Sequence, residues 1–107
     1  MKEDKDFNFN EIETFELVQK YEELMRNKQN FYFDVIEFET IINYYLDNEE
    51  FTNAADTIRM AIDMHPYSSE IQLLQAELNV SLKKFDEALK ILDYLEKINS
   101  DNSEILY

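Results

Sequence analysis

The sequence predicts an all-α domain of antiparallel helix-turn-helix units stacked as a short solenoid. Three observations lead there. The 107-residue chain has no glycine, which removes most two-residue β-hairpin turns. Its apolar residues recur at steps of three and four, the spacing that lines one face of an α-helix. A shift of 34 residues brings the sequence into partial register with itself.

The elements follow in order. Residues 1–9 are mostly polar and are expected to fray. From about Asn10 to Lys28, Ile12, Phe15, Leu17, Val18, Tyr21, Leu24 and Met25 form one apolar stripe. Asn27-Lys28-Gln29-Asn30 breaks it. Asp34 is placed to cap a second helix, because its carboxylate can accept from orphan N–H groups. That helix carries Val35, Phe38, Ile41, Ile42 and Tyr45, and Asp47 to Glu50 form a polar turn. A third helix, about Thr52 to Met64, presents Ala54, Ala55, Ile58, Ala61 and Ile62. His65-Pro66 ends it, since proline disfavours α geometry in the preceding residue. Ser68 or Ser69 caps a fourth helix with Ile71, Leu74, Leu78 and Leu82 in register. After Lys83-Lys84, a fifth runs from about Asp86 to Ile98 through Ala88, Leu89, Leu92 and Leu95. Asn99 to Asn102 reads as an exit, with a sixth helix starting at Ser103.

The self-similarity is concrete. Ser69-Glu70-Ile71 recurs as Ser103-Glu104-Ile105, Phe51 as Phe85 and Ala54 as Ala88. Ile58 aligns with Leu92, and the turn Asp47–Glu50 with Ser81–Lys84. One unit, residues 35–68, reads Phe38-x2-Ile41-Ile42-x2-Tyr45, then Ala54-x3-Ile58, Ala61 and Pro66. The next, residues 69–102, reads Gln72-x2-Gln75-Ala76-x2-Asn79, then Ala88-x3-Leu92, Leu95 and Ser100.

This pattern resembles the tetratricopeptide repeat, a 34-residue helix pair. The resemblance implies a right-handed superhelix. Residues 1–34 then hold a frayed start and a degenerate half-repeat that caps the array, with Lys20 and Asn27 at the small-residue stations. Residues 103–107 are the start of a further unit. The small residues permit close helix crossing. Ile42 stands where the family favours a small side chain, so it is expected to push the two helices of the first unit apart or to turn into the N-terminal helix. Glu49 and Lys83 occupy a station often held by glycine, and cost little if the turn needs no positive φ.

Charge and composition narrow the function. Twenty-four acidic against ten basic residues give a net charge of −14, which repels phosphates of nucleic acid and anionic lipid. The charge is spread along the chain (−4 over 1–34, −6 over 35–68, −4 over 69–107), as solubility requires and a shaped nucleic-acid mimic does not. Forty-five per cent of residues are hydrophobic, too many for an acidic disordered tail. No apolar run approaches the ~20 residues of a membrane span. The first residues lead into no apolar segment of a signal peptide, and the lack of cysteine fits a reducing compartment, so a cytoplasmic location is expected.

No catalytic constellation is evident, and no enzyme activity or cofactor is expected. There is no cysteine, no glycine for a phosphate loop, and one imidazole, His65, read as an exposed helix-end residue rather than a metal ligand. Asp47-Asn48-Glu49-Glu50 lacks the glycine and the spacing of a calcium loop. Phe31, Phe33, Phe38 and Tyr45 are read as core rather than as a ligand-stacking patch.

The resemblance also implies a concave groove lined by the first helix of each unit. The groove positions are Ile36, Glu39, Asn43, Leu46 and Asp47 in the first unit, and Glu70, Leu73, Glu77, Val80 and Ser81 in the second. Family members that grip acidic chaperone tails use a clamp of cations with Asn. Asn43 sits at a clamp station, but Glu39, Asp47 and Glu77 occupy or flank the places where cations are needed, and carboxylates cannot hold a carboxylate. The expected ligand is a basic or amphipathic peptide or helix of a protein partner. The alternative is a structural or self-associating segment of a longer array, with Ile105, Leu106 and Tyr107 as the contact between copies.

Overall fold

A computed structural model describes the backbone of residues 9–105 and the side chains of residues 9–99. The described residues form helices and connecting turns, with no strand among them. The helices are α1 (Glu11–Arg26), α2 (Val35–Asp47), α3 (Phe51–Met64), α4 (Ser69–Ser81) and α5 (Phe85–Ile105).

Local chemistry starts most of them. Asn10 and Asp34 each build a reciprocal capping box, with Glu13 and Glu37 at the third helical position. Asp34 Oδ1 accepts from the Glu37 amide at 2.8 Å, and Glu37 Oε1 accepts from the Asp34 amide at 2.9 Å. Ser68 caps α4 through the Ile71 amide at 3.2 Å. The chain leaves α3 at His65, ahead of Pro66.

Packing is pairwise along the chain: α1 on α2, α2 on α3, α3 on α4 and α4 on α5. Helix α2 also packs on α4, and a side-chain contact between Thr57 and Tyr21 joins α3 to α1. The main core gathers Leu17, Val18 and Tyr21 of α1, Phe33, the inner face of α2, Ala54, Ile58 and Ala61 of α3, and Ile71, Leu74 and Leu78 of α4. Ile42 is fully buried in this cluster, and α2 and α3 remain packed together. Ala54 and Ala61 are both fully buried, as expected where helices cross closely.

Four expectations are corrected. The stripe of α1 is shorter than its periodicity: Ile12 is 71% exposed and Phe15 lies open too, because α2 covers the later part of the stripe, around Leu17, Val18 and Tyr21. The exit at 99–102 does not exist; α5 runs unbroken to Ile105 and Ser103 lies inside it. Asn, Ser and Asp cost a helix roughly half a kcal/mol each, and with no Gly or Pro among them the ladder continues. The C-terminal contact expected of Ile105, Leu106 and Tyr107 falls outside the described side chains.

His65 is half-buried, not exposed. Its Nε2 donates to the Phe33 carbonyl at 2.8 Å, and its ring meets Tyr32 and Phe38 edge-on, with centroids 5.4 and 5.9 Å away. The turn after α3 thus ties down the segment that leads into α2.

The turns also need positive φ after all. Lys28, Glu49 and Lys83 lie in the left-handed region at φ 55°, 57° and 63°. Each follows a helix and closes the paired bonds of a Schellman motif. After α2, for example, the Glu49 amide donates to the Leu46 carbonyl at 3.0 Å and the Glu50 amide to the Tyr45 carbonyl at 2.8 Å. Glycine normally fills this site, and a residue with a Cβ holds it at a cost of about 1–2 kcal/mol. Glu49 and Lys83 stand one 34-residue shift apart, so the repeat extends to backbone geometry.

Candidate partner-binding surface

The predicted groove positions sit on α2 and α4, which pack against each other. Ile36, Asn43 and Asp47 of α2, and Glu70, Leu73, Glu77, Val80 and Ser81 of α4, are exposed; Glu39 and Leu46 are half-buried. Three aliphatic side chains, Ile36, Leu73 and Val80, therefore face solvent although Leu and Val are ordinarily buried. The two helices also bring carboxylates near each other. Burial raises the Glu39 carboxyl above its usual range, and the nearby charge of Glu70 raises it further. A cation placed there would offset the repulsion between the two carboxylates.

Four of the groove positions line one or other of two open clefts. Glu70 and Leu73 line an open cleft of about 520 Å³ between α4 and α5, together with Ser69, Leu92, Leu95, Glu96 and Asn99. Asn43 and Asp47 line another of about 490 Å³ between α1 and α2, with Phe9, Glu11, Phe15, Thr40 and Tyr44. Ile36, Glu39, Leu46, Glu77, Val80 and Ser81 line neither. Leu92, Leu95, Glu96 and Asn99 are not among the predicted groove positions, although Leu92 and Leu95 do stand in the repeat pattern. The 34-residue register contains the signal for them, since Leu92 and Leu95 align with Ile58 and Ala61.

Of the aromatic residues read as core, Phe33, Phe38 and Tyr45 are buried and Phe31 is half-buried, while Tyr32 beside them is exposed. Phe33 is buried, with Tyr21, Phe31 and Phe38 around it at centroid distances of 6.2, 5.1 and 5.8 Å. Two hydroxyls inside this layer are satisfied in ways that periodicity does not reveal. Tyr45 Oη donates to Glu22 Oε2 at 2.6 Å, joining α2 to α1. Thr57 Oγ1 donates to the Asn53 carbonyl at 2.8 Å and lies 3.1 Å from Tyr21 Oη, from which it accepts. Desolvation pushes both tyrosines above their ordinary pKa, and for Tyr45 the bond to Glu22 adds to it. Both hydroxyls therefore hold their protons at neutral pH.

Among the described residues, no group of three or more His, Asp or Glu is placed to hold a metal ion. No helix among them is long and apolar enough to cross a membrane. No protein-family model, curated protein or solved structure matches the chain. The likeness to the tetratricopeptide repeat therefore stands on the chain's own residues and register.

Proposed function

We propose that the chain is a non-catalytic helical-repeat protein of tetratricopeptide type, acting in the cytoplasm as a protein–protein interaction scaffold. In this reading α2 and α4 are the first helices of two stacked units, α3 and α5 are their second helices, and α1 caps the array. The face of α2 and α4 binds a basic or amphipathic segment of a partner protein, and neither nucleic acid nor a membrane is its target.

One observation carries the reading: α2 packs directly on α4 and the pair exposes Ile36, Leu73 and Val80 beside the mutually repelling carboxylates of Glu39 and Glu70. Aliphatic anchors flanked by uncompensated acid suit an amphipathic cation-bearing peptide, and the charge of −14 adds long-range attraction for it. Fluorescence titration of the whole chain with basic-amphipathic and acidic peptides tests this. Basic peptides are expected to bind with an affinity that falls as salt rises. Preference for acidic tails overturns the proposal.

A second reading, self-association within a longer array, draws on α5, where Phe85 and Leu89 are both more than half exposed. Light scattering across a concentration series separates it, because a monomer at every concentration excludes it.

A further inference from the structure

The internal repeat permits a comparison of burial at matched positions. In the first unit, α4 packs on both α2 and α3. Beneath it, Ala54, Ile58 and Ala61 of α3 are fully buried. One shift of 34 residues carries these positions to Ala88, Leu92 and Leu95 of α5. There Ala88 is buried by α4, Leu92 is 38% exposed and Leu95 is half-buried. The same shift carries α2 to α4 and Glu39 to Leu73, which is exposed. Leu73, Leu92 and Leu95 meet in the open cleft between α4 and α5. The cleft thus lies over the second unit as α4 lies over the first, and no described helix fills it.

The charge of the cleft selects an occupant. Glu70 and Glu96 are the charged groups of its lining, and both are acidic. A second copy of a chain with net charge −14 meets repulsion there. We propose that this cleft is a docking site for one amphipathic helix of a different protein. That helix would present aliphatic residues at the spacing of Ile71, Leu74 and Leu78 of α4, with lysine or arginine beside them. This surface is separate from the outer face of α2 and α4, sharing only Glu70 and Leu73 with it.

The probe follows from the chain itself. A 13-residue peptide with the sequence of α4, acetylated and amidated and carrying E70K and E77K, keeps the aliphatic spacing and reverses the charge. The unchanged acidic sequence is the control. Titration into the full chain is expected to show binding of the basic peptide and at least tenfold weaker binding of the control. Leu92→Asp is expected to weaken the basic peptide at least tenfold, with circular dichroism confirming an unchanged helix content. Glu96→Lys, an exposed change that folding tolerates, is expected to weaken it about threefold or more, as like charges face each other. The double variant Ile36→Ala with Val80→Ala is expected to leave it within twofold.

Binding that survives Leu92→Asp and Glu96→Lys overturns the cleft proposal. If that binding is lost only in the Ile36/Val80 variant, the outer face is the site and the proposed function stands alone. Equal binding of both peptides overturns the charge argument. A dimer of the chain, seen by light scattering and broken by Leu92→Asp, makes a second copy the occupant and overturns the proposal of a foreign helix. Loss in the Leu92 and Glu96 variants with no effect at Ile36 and Val80 supports the cleft while the outer-face reading fails.

Discussion

The two helix pairs, α2–α3 and α4–α5, share a register but not a degree of burial. In α2–α3 the repeat positions Phe38, Ile41, Ile42, Ala54, Ile58 and Ala61 are all fully buried. In α4–α5, α4 buries Ile71, Leu74, Ala76 and Leu78, while Ala88 is the one buried side chain among those described in α5. The difference lies in the neighbours. The first pair has α1 on one side and α4 on the other, whereas the second has α2 and α3 on one side only. A helix in such a stack owes its burial to the element docked on it as much as to its own pattern. The polar interior differs too: Tyr45, bonded to Glu22, becomes Asn79 in the second pair, where Gln75 Nε2 donates to Asn79 Oδ1 at 3.2 Å.

A matched pair of truncations tests the difference in burial most directly. Ile58→Ala removes a fully buried side chain and is expected to cost about 2–5 kcal/mol. Leu92→Ala, at the same register position, is expected to cost less than about 1 kcal/mol. Urea denaturation of both variants checks it, and equal losses would mean that α5 is as sealed as α3.

Alkaline pH gives a second contrast, confined to the first pair and α1. Tyr45 and Tyr21 have folded pKa values above the unfolded value near 10. Above that pH the unfolded chain releases their protons while the folded chain keeps them. Their contribution is therefore complete below pH ~10 and is lost as pH rises beyond it, with a slope of up to about 1.4 kcal/mol per pH unit for each tyrosine. Tyr45→Phe is expected to flatten that fall, measured as the denaturation midpoint between pH 9 and 11, whereas a change at Asn79 is expected to leave the slope alone.

The smallest expected effect asks where the two pairs are alike. Glu49→Gly and Lys83→Gly each place glycine at a left-handed residue and are expected to stabilise by about 0.5–1 kcal/mol. Thermal unfolding of both variants checks this. A gain at one site alone would mean that the shared turn geometry does not carry a shared energy.

Much of the architecture was legible because it is chemically local. Asp34 and Ser68 cap the helices that they precede, Pro66 follows the end of α3, and alternating steps of three and four mark Phe38, Ile41, Ile42 and Tyr45 as core. What was not legible depends on distant neighbours. Periodicity makes Ile12 and Leu92 equivalent to buried residues, but only the packing of other helices decides that they are open. His65 looked like a polar helix end, because nothing local shows that the aromatic segment before α2 folds over it. The run Asn99 to Asn102 looked like a break from its composition, yet weak helix formers do not stop a helix without a stop residue. The groove residues sit on two helices that do meet, but cleft lining also draws on α1 and α5, whose exposure depends on what docks against them.

The aromatic seat of His65 has a use in spectroscopy. The chain holds a single histidine, so its imidazole protons form one isolated set of resonances in a proton spectrum. In the seat, the rings of Tyr32 and Phe38 displace those signals by their ring currents, and the bond to the Phe33 carbonyl holds the imidazole in place. If the segment before α2 lifts away from the end of α3, the signals move to the positions of a free histidine. The protein therefore carries its own unlabelled reporter of whether the segment before α2 is seated on the end of α3, readable during any titration.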